Sequence, residues 1–212
     1  NAAFPGTPLV FLIVLAVAAG AALGAINGYL VWLLQIPPIV VTLGTLTIYR
    51  GMAFVLSGGA WVNAYQMTPD FLNFPRHSVL GLPILSWIAI GVVLAMWFVL
   101  TRTSFGRYVY GIGNKEVAAY LSGVPTQRIV MLAFALSGGL AAFGGVLLAG
   151  YAGKAAQSMG DPYLLTSIAV VVIGGTLITG GRGNYVGMIG GVMLLVALQI
   201  LLTSLMVPAS IR

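Results

Sequence analysis

The chain has 212 residues, of which 60% are hydrophobic and only 6% are charged. A soluble domain carries about a quarter charged residues, so this composition excludes an ordinary soluble protein and predicts an integral membrane protein. The net charge of +6 comes from basic residues spread among the loops, a pattern that sets membrane orientation and does not predict binding to nucleic acid.

Six apolar segments are long enough to cross a bilayer, which requires about 20 residues per helix. Their length favours helices over the strands of a membrane barrel, which have about 10 residues. No polar linker divides the chain, so residues 1–212 are predicted to form one transmembrane domain, an all-α polytopic helical bundle. The six predicted spans are Pro8–Leu34, Pro38–Leu56, Pro83–Leu100, Ile129–Ala149, Tyr163–Thr179 and Tyr185–Val207.

Glycines recur at every fourth position in two places, near the first and the last predicted span. This spacing puts each set on one helix face, where a neighbouring backbone can approach closely. Each set predicts either permanent helix packing or a helix contact that changes during transport. The two sets are Gly20, Gly24 and Gly28, and Gly183, Gly187 and Gly191.

The sequences around these glycines are also similar, since GAINGYLVWLLQI (Gly24–Ile36) resembles GMIGGVMLLVALQI (Gly187–Ile200). The two helices are predicted to run in opposite directions. This similarity indicates either an inverted repeat, as many transporters have, or a chance resemblance between two glycine-rich apolar sequences.

The second span carries an arginine, Arg50, thirteen residues after Pro37. At about 1.5 Å per helical residue it lies roughly 20 Å along the helix, in the outer half of the membrane. Such an arginine reaches the outer interface or caps a neighbouring helix, donates hydrogen bonds to a polyol in the transport path, or contacts a docked binding protein. Thr42, Thr45 and Asn27 are weaker pathway candidates, since threonine hydroxyls also bond to their own helix.

The connection Thr101–Arg128 carries five charged residues, in a chain with only nine lysines and arginines and three acids. A charge at the bilayer centre is costly, so this segment lies in water, and its basic bias predicts the cytoplasmic side. Alternation then puts Gln35–Pro37 and Gly180–Asn184 on the same side. The connections Ser57–Leu82 and Gly150–Pro162 are predicted to lie outside.

A short helix is predicted within this cytoplasmic loop. Asn114 is expected to cap its N-terminus, and Gly123 is expected to end it in a left-handed conformation before Pro125. Two helical turns are unstable alone, so the helix must dock through its apolar face, formed by Val117, Tyr120 and Leu121. It docks either on the ends of this protein's own helices or in a groove of a cytoplasmic ATPase.

Residues for catalysis are scarce. The acids are Asp70, Glu116 and Asp161, all expected in loops, and the one histidine is His77; they form no triad or metal-ligand set. No phosphate-binding loop is present, because Gly153–Lys154 is followed by alanine. We therefore expect no metal, no cofactor and no catalysis by this chain. Any ATP-driven motor must be another subunit.

Three segments resemble the permease subunits of ribose-type and autoinducer-2-type ABC importers, in the same order over nearly the whole chain. They are IPPIVVTLGTLTIYRGMAFVLSGG (residues 36–59), GRYVYGIGNKEVAAYLSGVP (residues 106–125) and IAVVVIGGTLITGGRGNYVGMIGGVMLL (residues 168–195). The family's chains are longer, with about ten spans, so the early spans and the last span are expected to be missing from this sequence.

The resemblance implies a bacterial inner-membrane protein that works as a homodimer or heterodimer, surrounded by lipid. It implies cytoplasmic ATP-binding subunits as partners on one side and an extracellular or periplasmic solute-binding protein on the other. Residues 114–123 would be the coupling helix that receives the motion of the ATPases. The matching positions are Asn114, Glu116, Ala118, Ala119, Leu121, Ser122 and Gly123.

The resulting prediction is a permease subunit that translocates a monosaccharide or related small polyol, driven by partner ATPases. The alternative is a secondary transporter or passive facilitator of small neutral solutes. A structural membrane protein without transport is a further alternative. An intramembrane acid for ion coupling is not predicted, which counts against proton coupling but leaves a facilitator open.

Overall fold

The computed structural model describes residues 8–177 and 180–204, and most of them are helical. The described helices are α1 (Leu9–Leu34), α2 (Pro38–Ser57), α3 (Pro69–Asn73), α4 (Ile84–Arg102), α5 (Ser104–Asn114), α6 (Glu116–Leu121), α7 (Thr126–Ala152), α8 (Asp161–Ile173) and α9 (Tyr185–Ser204). Four two-residue strands accompany them: β1 (Val62–Asn63), β2 (Ser78–Val79), β3 (Leu82–Pro83) and β4 (Lys154–Ala155). The prediction of an all-α polytopic bundle is confirmed.

Within the described residues, five helices are long and apolar enough to cross a membrane: α1, α2, α4, α7 and α9. The predicted span Tyr163–Thr179 differs, because its helix α8 has only 13 residues. That is about 20 Å of helix, against a hydrocarbon core of about 30 Å. Residues 178–179 and 205–207, which belong to predicted spans, lie outside the described ranges.

A glycine turn is the reason why α8 ends early. Gly175 adopts a left-handed conformation with φ +82°. Its N–H donates to the Val172 carbonyl at 3.0 Å, and the Thr176 N–H donates to the Val171 carbonyl at 3.1 Å. This pair of bonds closes a helix C-terminus in the Schellman arrangement, so the apolar run continues past a helix that has already stopped.

The first glycine set forms the contact between α1 and α7, the most extensive helix pair in the described structure. Gly24 and Gly28 are buried. A Cβ built on Gly24 would lie 2.2 Å from the Phe134 carbonyl oxygen, and one on Gly138 of α7 would lie 2.3 Å from the Gly20 carbonyl oxygen. The two backbones are therefore in direct contact, as helix packing through this glycine face requires.

In the second glycine set, two of the three glycines lie between α8 and α9, and the third does not. Gly187 and Gly191 lie on α9 and face α8: a Cβ on Gly187 would meet the Gly174 carbonyl oxygen at 2.2 Å. A Cβ on Gly191 would meet the Val170 carbonyl oxygen at 2.7 Å. At these two glycines the backbones of α8 and α9 lie close together.

Gly183 does not belong to that helix face, and its assignment to the set was wrong. The Asn184 side-chain oxygen accepts a hydrogen bond from the Gly187 N–H at 3.1 Å, which makes Asn184 the N-cap of α9. Gly183 therefore precedes the helix, and a Cβ built there would meet the Thr176 side chain at 3.3 Å.

The loops gather at two ends of the bundle, as alternation predicts. At one end, β1 pairs antiparallel with β4, and the Arg76 guanidinium donates to the Tyr151 carbonyl at 2.9 Å. These contacts join the two connections expected outside. At the other end, here called the α6 end, the backbone of Gly113 contacts that of Gly181. The inverted repeat stays a prediction, since α1 packs on α7 and α9 packs on α8.

Candidate functional site

Two short helices meet at the α6 end. Thr103 caps α5, since its hydroxyl oxygen accepts from the Gly106 N–H at 3.4 Å and donates to the Val99 carbonyl at 2.6 Å. The chain then breaks at Lys115, which is extended with φ −159° and ψ 100°, and α6 follows. This break allows α6 to take a direction different from that of α5.

Asn114 is the last residue of α5, so its predicted role as the N-cap of α6 was wrong. The Lys115 N–H donates to the Gly111 carbonyl at 3.2 Å, which extends α5 up to Asn114. An N-cap residue needs a non-helical backbone, and Lys115 has that conformation instead. The lysine side chain makes no capping hydrogen bond there.

The end of α6 follows the prediction. Gly123 is left-handed with φ +81°. Its N–H donates to the Tyr120 carbonyl at 2.9 Å, and the Val124 N–H donates to the Ala119 carbonyl at 3.1 Å. These are the two bonds of a Schellman stop. The Ser122 hydroxyl donates to the Ala118 carbonyl at 2.8 Å, so this part of the motif closes the helix end.

The apolar face of α6 points away from the described part of the chain. Val117, Tyr120 and Leu121 are 65%, 67% and 79% exposed. Ala119, on the other face, is buried, and α6 contacts α7. In the described part of the chain, this protein's own helix ends therefore do not cover the apolar face of α6, although that was one of the two docking alternatives. At an end that the sequence predicts to face water, three adjacent exposed apolar side chains are typical of an interaction surface.

A groove of about 850 Å³ opens beside α6. Its lining includes Trp32 and Gln35 from the end of α1, and Asn114, Lys115 and Glu116 from the α5–α6 junction. The residues that join α5 to α6 therefore border an opening between the ends of α1, α2 and α7. A movement of α6 would change the shape of this groove.

Arg50 forms an ion pair with Asp161, through one guanidinium nitrogen and one carboxylate oxygen. The two side chains are 47% and 45% exposed. They line a cavity of about 260 Å³ together with Tyr49 and Gln157. The pair joins α2 to the N-terminus of α8, whose dipole also favours the carboxylate.

The expectation that Asp161 lies in a loop was wrong, because it is the first residue of α8. An acid followed directly by a proline is a signal for a helix start, and Asp161–Pro162 carries that signal. The sequence therefore indicated a helix start at Asp161, but no spacing rule relates two residues as far apart as Arg50 and Asp161.

The weaker pathway candidates are engaged in hydrogen bonds inside the bundle. The Thr42 hydroxyl donates to the Pro38 carbonyl at 3.0 Å, and that of Thr45, which is buried, donates to the Thr42 carbonyl at 3.2 Å. The Asn27 side-chain oxygen accepts from the Tyr49 hydroxyl at 3.0 Å. Sequence reasoning missed Tyr49, although an amide within a span requires a partner.

In the described part of the chain, no three histidine or acidic side chains gather into a group that could hold a metal ion. At the end opposite α6, the Arg50–Asp161 pair, the Gln157 amide and the Tyr49 phenol offer groups for hydrogen bonding.

Comparison with known proteins assigns the chain to a family. Residues 2–211 match the model of the permease component of the branched-chain amino acid transport system. The chain belongs to this permease family. With five helices among its described residues able to cross a bilayer, it is a multi-pass protein of the bacterial inner membrane.

Individual relatives agree with the resemblance. The chain is 38% identical over 193 residues to the autoinducer 2 import system permease protein LsrC of Klebsiella pneumoniae, covering 91% of this chain and 55% of that protein. It is 35% identical over 194 residues to LsrC of Yersinia pseudotuberculosis, covering 92% and 55%. It is 35% identical over 169 residues to the ribose import permease protein RbsC of Bacillus subtilis, covering 80% and 52%.

The chain thus spans about half the length of the curated relatives it matches. No solved structure matches it.

Proposed function

We propose that this chain is part of the permease subunit of an ABC importer for a monosaccharide or related small polyol. Family membership supports a transport subunit, and the names of relatives that import autoinducer 2 and ribose support the solute class. In this proposal ATP is hydrolysed by cytoplasmic partner subunits, and this chain contributes no catalytic residue. A solute-binding protein and a second permease subunit complete the assembly.

The observation that carries the proposal is the open apolar face of α6. A helix of six residues is not stable alone in water. Here it is held from behind by Ala119 and α7 and presents Val117, Tyr120 and Leu121 outward. A rigid element with an exposed apolar face suits insertion into a groove of another protein. Closure of two ATPase subunits around ATP would then displace α6 and shift the spans between two states.

The test truncates exposed apolar side chains of α6 and measures whether the ATPase subunits still bind. Interface residues of this kind lose about 2 kcal/mol or more on truncation, which is roughly a thirtyfold loss of affinity. We expect the double variant Tyr120→Ala/Leu121→Ala of the full-length permease to lose its ATPase subunits on purification and to lose ATP-driven uptake. Leu121→Met is the matched control, since it preserves apolar area, and it should retain both.

Wild-type docking and uptake in the double variant would contradict this role of α6. Uptake by vesicles that contain the permease alone and no ATP would instead favour the alternative, a secondary transporter or passive facilitator. The two results are separable, because the first concerns α6 and the second concerns the energy source.

We further propose that Arg50 lines the solute path at the end opposite α6. Its pairing with Asp161 cancels the net charge while leaving half of each side chain open. Such a pair offers donors and acceptors to the hydroxyls of a neutral polyol and attracts neither ions nor acids. The internal hydrogen bonds of Thr42, Thr45 and Asn27 support a packing role for these three residues over solute contact.

A further inference from the structure

A second contact at the α6 end joins α5 to the loop that precedes α9. A Cβ built on Gly113 would lie 2.5 Å from the Gly181 backbone nitrogen. A Cβ built on Gly181 would lie 2.7 Å from the Asn114 Cα. Gly180 and Gly181 both have left-handed backbones, with φ +89° and +80°. Two backbone segments therefore touch where neither has room for a side chain.

Gly113, on one side of this contact, lies close to α6 in the sequence. Only Asn114 and Lys115 separate Gly113 from the first residue of α6. Gly113 itself lies in α5, whose last turn is held by the Lys115 N–H bond to the Gly111 carbonyl. A displacement of α6 therefore reaches Gly113 through only two residues.

On the other side of the contact, hydrogen bonds tie the described ends of the loop together. The loop is closed by the Gly180 N–H bond to the Leu177 carbonyl at 3.0 Å and the Leu177 N–H bond to the Arg182 carbonyl at 3.1 Å. Behind it, α8 and α9 meet backbone to backbone where Gly187 faces Gly174. Close-packed contacts of this kind transmit displacement because they have no free volume to lose.

From these contacts we infer that Gly113 and Gly181 form the joint through which α6 moves the α8–α9 pair. The inference rests on the proposed role of α6. The two glycines are positioning residues: they touch neither solute nor ATP, and they act through the helices on either side. The far end of α8 carries Asp161, paired with Arg50, so the α8–α9 pair reaches from the joint to the proposed solute path.

The chain contains a matched control for this joint. Gly111 lies in the same helix, two residues before Gly113, and in the described part of the chain no atom outside its own helical turn lies within 4 Å of a Cβ built there. Gly111→Ala and Gly113→Ala therefore make the same chemical change and the same change in helix preference. They differ in whether the new methyl group meets the loop.

The experiment uses the full-length permease with its ATPase subunits in vesicles and measures solute uptake per ATP hydrolysed, together with retention of the ATPases. Gly113→Ala should retain the ATPases and lower uptake per ATP about tenfold, within the range of coupling free energies between distant sites. Gly111→Ala should stay within about twofold of wild type, as expected for a change without new contacts.

A second variant loosens the joint without crowding it, by inserting two glycines between Arg182 and Gly183. It should uncouple hydrolysis from uptake as Gly113→Ala does, and it decides the question if Gly113→Ala does not fold. Wild-type coupling in either folded variant, or loss of the ATPases from Gly113→Ala, would overturn the inference. Failure of the proposed function is distinguishable, because it would appear in the wild-type protein as uptake that needs no ATP.

Discussion

Two helix pairs, α1–α7 and α8–α9, use glycine at similar spacing and produce different contacts. The pair α1–α7 joins helices of 26 and 27 residues, and three successive turns of α1 press on α7 through Gly20, Gly24 and Gly28. The pair α8–α9 joins helices of 13 and 20 residues, and its closest approach is concentrated where Gly174 meets Gly187. Its far end is held by a half-exposed ion pair.

The difference teaches that glycine spacing specifies a face and not the length of a contact. The α1–α7 pair has the character of a fixed scaffold. Among the described residues, the α8–α9 pair is held near the α6 end, where the loop before α9 touches α5, and the far end of α8 is held by the Arg50–Asp161 ion pair. Tight contact at one end and a breakable contact at the other suit the movement that we propose for this pair.

The strongest test of the scaffold is Gly24→Leu. The first side-chain carbon would already lie 2.2 Å from the Phe134 carbonyl oxygen. Overpacking costs about 1–3 kcal/mol, and more where backbone must move. We expect the full-length protein to lose most of its folded yield, measured by size-exclusion chromatography in detergent. Gly144→Leu on α7 is the control, since no atom of the described chain outside its own turn lies near a Cβ there. Equal yields would contradict a fixed scaffold.

The matching change in the second pair is Gly191→Leu, which should have a smaller effect on folding. The built Cβ lies 2.7 Å from the Val170 carbonyl oxygen, and the short helix α8 has fewer neighbours that resist a shift. We expect a folded protein with a thermal midpoint a few degrees lower and a large loss of uptake. A loss of fold as complete as that of Gly24→Leu would remove the distinction between scaffold and moving pair.

Arg50→Ala tests the ion pair with Asp161, which holds the end of α8 that lies farther from α6. A half-exposed ion pair contributes about 1 kcal/mol or less to stability, so the thermal midpoint should change little. Uptake should fall severalfold if the pair borders the solute path, and Asp161→Asn should act in the same way. Parallel losses of stability and uptake would indicate a purely structural pair instead.

The smallest expected effect belongs to Thr42→Ala. Its hydroxyl bonds to the carbonyl of Pro38 in its own helix, so its removal leaves no buried partner unpaired. Stability should stay within about 0.5 kcal/mol of wild type and uptake should be unchanged. A changed half-saturating concentration for uptake would return Thr42 to the solute path.

The sequence supported more of the fold than of the site. Long apolar runs located the helices, and Gly123 located the end of α6, because both signals are local. The same local reasoning failed at Asn114, because the sequence analysis did not predict α5, which extends up to that residue. It failed at Gly183 because Asn184 caps the helix one residue later.

What composition and spacing decided alone was the membrane class, the helical architecture and the two glycine faces, since each depends on hydrophobicity and on neighbours within a few residues. The partner of Arg50, the open face of α6 and the contact between Gly113 and Gly181 were decided by packing. These join residues far apart in the chain, and only the close approach of whole helices determines which backbones touch and which side chains remain uncovered.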